Sequence, residues 1–135
     1  MYKISIDHED DMYLAVTVAK QIAGEMGFAK HDETKIVVSI MELARNMILY
    51  ANNGKVWLKP LPPNGIEVIA KDKGPGIEDL EAILAEKKQS KTGLGLGLAG
   101  VRRLMDVFEI TTERHSGTTI KVQKRRQERR RSYDR

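Results

Sequence analysis

Residues 90–106 read SKTGLGLGLAGVRRLMD, and the glycines of this stretch decide how the chain is to be read. Gly95, Gly97 and Gly100 spell G-x-G-x-x-G, with the acidic Glu113 eighteen residues beyond Gly95. That is the outline of a dinucleotide-binding fingerprint. Such a site needs an apolar strand directly before its glycines, so that the next helix aims its N-terminus at a pyrophosphate. Here the preceding residues are EKKQSKT, too polar for a buried parallel strand. A phosphate-cradling P-loop fails as well: Lys91-Thr92 resembles its end, but Ser90 stands where a glycine must precede the lysine. Two readings stay open on the glycines alone. One is an anion site at a helix N-terminus, where free N–H groups and the helix dipole point outward. The other is a flexible loop packed closely against a neighbour.

Working outward, apolar periodicity assigns the remaining elements. YKISI, residues 2–6, alternates like a strand, and Asp7 or an acidic neighbour can cap the first helix. Met12, Ala15, Val16, Ala19, Ile22, Ala23 and Met26 recur at three- and four-residue steps and predict that helix, ended by Gly27. A second helix is predicted from about Asp32 to Ala51, with Ile36, Val37, Ile40, Leu43, Ala44 and Met47 on its apolar face. Asn52, Asn53 and Gly54 make a turn. Residues 55–60 and 66–72 form a hairpin around LPPNG, and residues 107–113 and 118–124 form another around RHSG. Leu94 to Met105 reads as a third long helix, after a polar stretch EAILAEKKQSKTG. The expected fold is an α+β two-layer sandwich: a mixed, mostly antiparallel sheet covered on one face by about three helices.

Composition bounds the function. At 135 residues, one domain is expected. Cysteine is absent, which excludes disulfides and thiolate metal sites. No apolar run approaches a membrane span of roughly 18 residues, and the acidic N-terminus lacks a signal-peptide pattern; a cytoplasmic protein is expected. The net charge of +4 is uneven. Residues 124–135, KRRQERRRSYDR, carry seven basic and two acidic side chains, leaving residues 1–123 close to neutral. Residues 1–123 are therefore read as the domain and 124–135 as a basic tail, a solvated C-terminus rather than a nucleic-acid contact.

Two further constellations carry chemistry. Lys35, Ser39, Glu42 and Asn46 fall on one polar stripe of the second helix, beside its apolar face. Glu42 and Asn46 are an i, i+4 pair: the amide oxygen is a hard neutral ligand suited to Mg²⁺, and the carboxylate can accept a proton from a nucleophile. An exposed polar helix face gives the same pattern. The other constellation is Asp72-Lys73-Gly74-Pro75-Gly76, an acceptor at a strand end beside a bend with little side chain. It suits the exocyclic amine of adenine, and it also suits a plain turn.

In order, ELARN in a helix, DKGPG, GLGLGL opening a helix and SGTTI resemble the GHKL, or Bergerat, ATP-binding fold of gyrase, histidine kinases and MutL, over about residues 30–122. Within it, GLGLGLAGVRRLMDVFEI is similar to the small bacterial serine/threonine switch kinases of the stressosome type. His8, His31 and His115 are scattered, so a preceding helix pair carrying a phosphoacceptor histidine is not expected. The resemblance implies ATP and Mg²⁺ as cofactors, with Asn46 as the metal ligand and Glu42 as the general base. It implies Asp72 as the adenine-binding carboxylate and Gly74 and Gly76 as loop glycines close to the nucleotide. Gly93, Gly95 and Gly97 become the hinge of a lid over the phosphates, and Thr118 a hydroxyl supporting the adenine pocket through water. The lid segment after Gly76 is short and carries Lys87, Lys88 and Lys91. The implied activity is phosphorylation of Ser or Thr on a STAS-domain scaffold or antagonist, followed by release to activate an effector such as a phosphatase. The alternative is an ATP-switched module of anti-sigma-factor type that sequesters a partner. Neither a membrane nor nucleic acid is an expected partner.

Overall fold

The computed structural model describes residues 1–51, 54–85 and 97–127. Their order is β1 (Tyr2–Ile6), α1 (Glu9–Glu25), α2 (Lys30–Tyr50), β2 (Gly54–Leu61), β3 (Gly65–Asp72), α3 (Leu80–Leu84), α4 (Gly97–Leu104), β4 (Val107–Glu113) and β5 (Gly117–Arg125). The strands form one sheet in the order β1-β2-β3-β5-β4. Every pairing is antiparallel, so the expected mixed component is absent among the described residues.

Alternation decides which face is covered. Ile4 and Ile6, Val56 and Leu58, Val68 and Ala70, and Ile120 and Val122 point to one side and are buried. The apolar stripes of α1 and α2 lie on that side, and Ala15, Ala19, Ile36, Ile40 and Leu43 are almost completely enclosed. Each large aliphatic side chain among them contributes about 1.5–3 kcal/mol of hydrophobic stabilisation relative to an exposed position. Small residues on α1 let the two helices approach closely.

The helix ends follow local chemistry. Asp11 makes the N-terminal cap of α1: its Oδ2 accepts from the backbone N–H groups of Asp7 and His8, at 2.9 and 3.0 Å. Of the caps expected, Asp7 or an acidic neighbour, it is the neighbour that supplies this one. At the other end, the N–H of Phe28 reaches the carbonyl of Ala23 and that of Gly27 the carbonyl of Gly24, a Schellman closure. Phe28 then packs into the core. The connection between β2 and β3 holds a cis peptide between Pro62 and Pro63.

Two sequence expectations change. A fourth helix, α3, forms inside the stretch read as polar; its Leu80, Ile83 and Leu84 rest against the core, and Arg102 donates to the carbonyl of Leu84. The basic segment also does not leave the fold at Lys124. β5 runs to Arg125, and Lys124 is only 5% exposed on the helix-covered face. Its Nζ donates to the carbonyl of Leu104, at 2.8 Å, and lies 3.5 Å from Asp106 Oδ1. A cation there satisfies a terminal carbonyl of α4 and complements the helix dipole. Arg126 continues the structure, donating its backbone N–H to Asn64 and its guanidinium to the carbonyl of Met26. The part of the tail beyond Gln127 lies outside the described residues.

Candidate functional site: a cavity between α2 and the ends of β3 and β5

α2, the end of β3, the start of β5 and the loop after β3 enclose a cavity of about 200 Å³. Leu43 and Met47 of α2, Ala70 of β3, Ile120 of β5, Leu98 of α4 and Ile77 and Ile83 give it apolar walls. Asn46, Asp72 and Thr118 are polar groups set into those walls. A slot of this kind, apolar on its faces with a few fixed polar groups, suits a flat heterocycle recognised at its edge.

Sheet register builds the polar edge. Asp72 lies opposite Thr118 in the β3–β5 pairing, and Thr112 lies opposite Thr118 in the β4–β5 pairing. All three sit on the helix-covered side. The hydroxyls of Thr112 and Thr118 are 2.9 Å apart, and Thr112 Oγ1 accepts the N–H of Ile77 at 2.9 Å. Asp72 Oδ1 accepts the N–H of Gly74, also at 2.9 Å. One carboxylate oxygen is thereby fixed to the loop, and Oδ2 is left for a ligand's donor. The Asp72 side chain is half-buried, so that donor would meet less competition from water than at an exposed carboxylate.

The loop after Asp72 is clamped. The N–H of His115, in the β4–β5 turn, donates to the carbonyl of Pro75 at 2.8 Å. Gly76 has φ +86, and a Cβ there would come 2.5 Å from the backbone oxygen of Glu113. Gly74 is packed just as closely, with a Cβ position 2.7 Å from Cβ of Ala51 at the end of α2. These two glycines do more than make a turn: they bring the loop against both α2 and the second hairpin.

On α2, Asn46 is partly exposed at the cavity wall. Glu42 sits one turn earlier on the same face and is 1% exposed, with Oε2 3.6 Å from the guanidinium of Arg45. The stripe read as polar therefore runs inward: Ser39 is buried as well. An ionisable side chain kept on an inner helix face beside a cavity is a mark of a functional site, since burial of a carboxylate is costly. Glu42 does not itself line the cavity. Gly97 opens α4 with φ +72, a left-handed bend that a glycine adopts without strain, and the next residue, Leu98, reaches the cavity. Gly93 and Gly95, with Lys87, Lys88 and Lys91, lie outside the described residues.

The structure thus brings together Asn46, Asp72, Gly76 and Thr118, with Gly74 and Glu42 immediately behind them. Thr112 is a site residue that sequence reading missed. Its only signal was the register that the RHSG turn imposes between residues 107–113 and 118–124. Among the described residues, no group of three or more His, Cys, Asp or Glu could hold a metal ion. A hard cation at Asn46 would therefore draw its other oxygens from a ligand and water, as Mg²⁺ does with phosphates.

Residues 6–124 match the histidine kinase-like ATPase domain model. The chain is 36% identical over 122 residues to the serine/threonine-protein kinase RsbT of Bacillus subtilis (strain 168), covering 88% of this chain and 92% of that protein. The RsbU and RsbW domains of Rv1364c from Mycobacterium tuberculosis superpose with a TM-score of 0.65 at 18% identity, over 92% of this chain and 31% of that one. The mycobacterial sensor histidine kinase MprB superposes at 0.57 and 16% identity, over 92% and 96%. The family model and the 36% identical relative both span most of the sequence, and the chain belongs to the histidine kinase-like (GHKL-type) ATPase family.

Proposed function

We propose that this protein is an ATP-dependent serine/threonine protein kinase of bacterial stress signalling, cytoplasmic, that phosphorylates a STAS-domain partner and on leaving it activates an effector. The observation that carries the reading is one cavity joining the Asp72 edge to Asn46, with Glu42 one turn deeper on the same helix. The 36% identity to a serine/threonine-protein kinase over most of the chain supports it.

In this reading Asp72 Oδ2 accepts from the adenine amine, while Gly74 keeps the carboxylate oriented. Thr118, braced by Thr112, offers its hydroxyl to a bridging water. Leu43, Met47, Ile77 and Leu98 exclude water from the faces of the ring. The Asn46 amide oxygen would hold Mg²⁺, which supplies charge neutralisation at the phosphates. Phosphoryl transfer depends on positioning and electrostatics more than on covalent help from the protein. The acceptor hydroxyl oxygen bonds to the γ-phosphorus as the bond to the β-phosphate oxygen breaks; Glu42, turned from its buried position toward the cavity, would take the hydroxyl proton, and ADP leaves.

The test is phosphotransfer from γ-labelled ATP and Mg²⁺ into an extract of the source cells, with Asn46→Ala as control and mass spectrometry of any labelled protein. One or two small proteins labelled on Ser or Thr by the wild type alone is the expected outcome. Normal ATP binding without any label would replace this reading with that of a nucleotide-switched binding module.

A further inference from the structure

The face of the sheet not covered by helices is organised in rows across the strands. Lys59, Glu67 and Gln123 make one row: Lys59 is 3.3 Å from Glu67, which accepts from Gln123 at 2.8 Å. Lys3, Trp57, Ile69, Lys121 and Glu109 make the next: Lys3 lies 5.9 Å from the Trp57 ring centre, and Lys121 is 3.4 Å from Glu109. In both rows each lysine has a partner.

The third row breaks the rule. Ser5 lies opposite Lys55, and Lys55 directly opposite Lys71. Like charges at directly opposed positions of an antiparallel pair are destabilising. No carboxylate of the described residues lies within 4.0 Å of either lysine, or of Lys73 at the end of the same strand. These three ammonium groups, with Ser5 and Trp57, line a second cavity of about 280 Å³. Asp7 and Asp72 complete its wall but pair with none of the lysines.

We propose that this cavity is a binding site for a phosphate-bearing anion, with Lys55 and Lys71 neutralising its charge, Lys73 and Ser5 donating to it, and Trp57 packing against its organic part. A dianion between the two opposed lysines turns a repulsive pair into a bridged one, and lysine is an effective point-charge ligand for phosphate. The site is separate from the nucleotide cavity and does not depend on the kinase reading. The two cavities share Asp72 in their walls.

Trp57 is the protein's single tryptophan and lines this cavity, so its fluorescence responds to binding there. Inorganic pyrophosphate, without Mg²⁺ and at constant ionic strength in chloride, is the probe; phosphoserine is the second. A saturable change is expected in the wild type and in Asn46→Ala, with affinity weakened about tenfold or more in Lys55→Gln and in Lys71→Gln, the scale of a lost charge-assisted contact. Response to pyrophosphate alone assigns the site to free phosphate compounds, and response to both extends it to phosphorylated side chains. A change that chloride reproduces, one that survives both lysine substitutions, or none at all overturns the proposal. Without anion, Lys71→Gln should melt no lower than wild type, because it removes the repulsion. A midpoint lower by several degrees would mean that Lys71 stabilises the sheet, and would overturn it too.

Discussion

Asp72→Asn should do more than weaken nucleotide binding: it should reverse the choice of base. Oδ1 of Asp72 is committed to the N–H of Gly74 at 2.9 Å. An asparagine keeps that bond only by placing its carbonyl oxygen there, which turns its NH₂ toward the ligand. The adenine amine then meets a donor instead of an acceptor. A hydrogen bond to a charged group contributes about 1.5–3 kcal/mol, and an enclosed donor without a partner costs about 1–3 kcal/mol. Since the site is only half-buried, a net loss of about 2–4 kcal/mol is expected, or roughly 30- to 10³-fold in ATP affinity. Inosine triphosphate carries a carbonyl at the same position and would accept from the new NH₂. Calorimetric titration of both nucleotides against both proteins, with thermal midpoints as the folding control, closes a double-mutant cycle. The expected result is a preference for ATP in the wild type and a lost or inverted preference in the variant. Equal losses for both nucleotides, or unchanged ATP affinity, would refute the role given to Asp72.

Three other substitutions probe the same framework. Glu42→Gln preserves shape and should leave ATP affinity within a few-fold of wild type while cutting phosphotransfer by ~10² or more; comparable losses in binding and transfer would make Glu42 a structural residue. Thr112→Val leaves the N–H of Ile77 without its acceptor and Thr118 without its partner, for a loss of about 1–3 kcal/mol in unfolding free energy by denaturant titration. An unchanged midpoint would show that water replaces the hydroxyl at no cost. Asp11 is partly exposed, and the N–H groups of Asp7 and then His8 hold its carboxyl below the usual 3.8. A lowered folded-state value means that its contribution is fully present above the unfolded pKa and is lost as pH falls through the folded one. Asp11→Ala should therefore melt modestly lower than wild type at neutral pH, with the difference closing below about pH 3.8. A gap independent of pH would remove the charge from the explanation.

Much of this molecule can be read from one-dimensional pattern because its elements are long and strongly periodic. Strand β4 coincides with the reading at residues 107–113, and the other strands and the first two helices agree within two residues. What pattern could not supply was which polar residues face inward. Glu42 and Ser39 lie beside the apolar stripe of α2, and only the packed fold shows that they are enclosed. Lys124 looked like the start of a solvated basic run because composition has no means of registering a carbonyl at the end of α4, twenty residues earlier in sequence. α3 was hidden for a related reason: Leu80, Ile83 and Leu84 are too few to show a period, and their burial comes from the core they rest on.

The β3–β5 register explains why three separately weak motifs make one site. Asp72 faces Thr118 only because Ala70 faces Ile120 and Val68 faces Val122, so the alternation that fills the core also aligns the polar edge. Strand side chains alternate strictly, and a slip of one residue would exchange the two faces. With β3 held in place, Thr118 would go to the open side and Thr119 would stand opposite Asp72 at the cavity. The β3–β5 register keeps a carboxylate at the cavity edge, and the β2–β3 register sets an opposed pair of lysines on the other side of the sheet. The alternation that fills the core fixes which residues face the open side. It does not, however, demand a lysine at both Lys55 and Lys71: any polar pair would satisfy the core. The repulsive choice at those two positions is the part of the sheet that the fold and the nucleotide cavity leave unexplained, and a bound anion accounts for it.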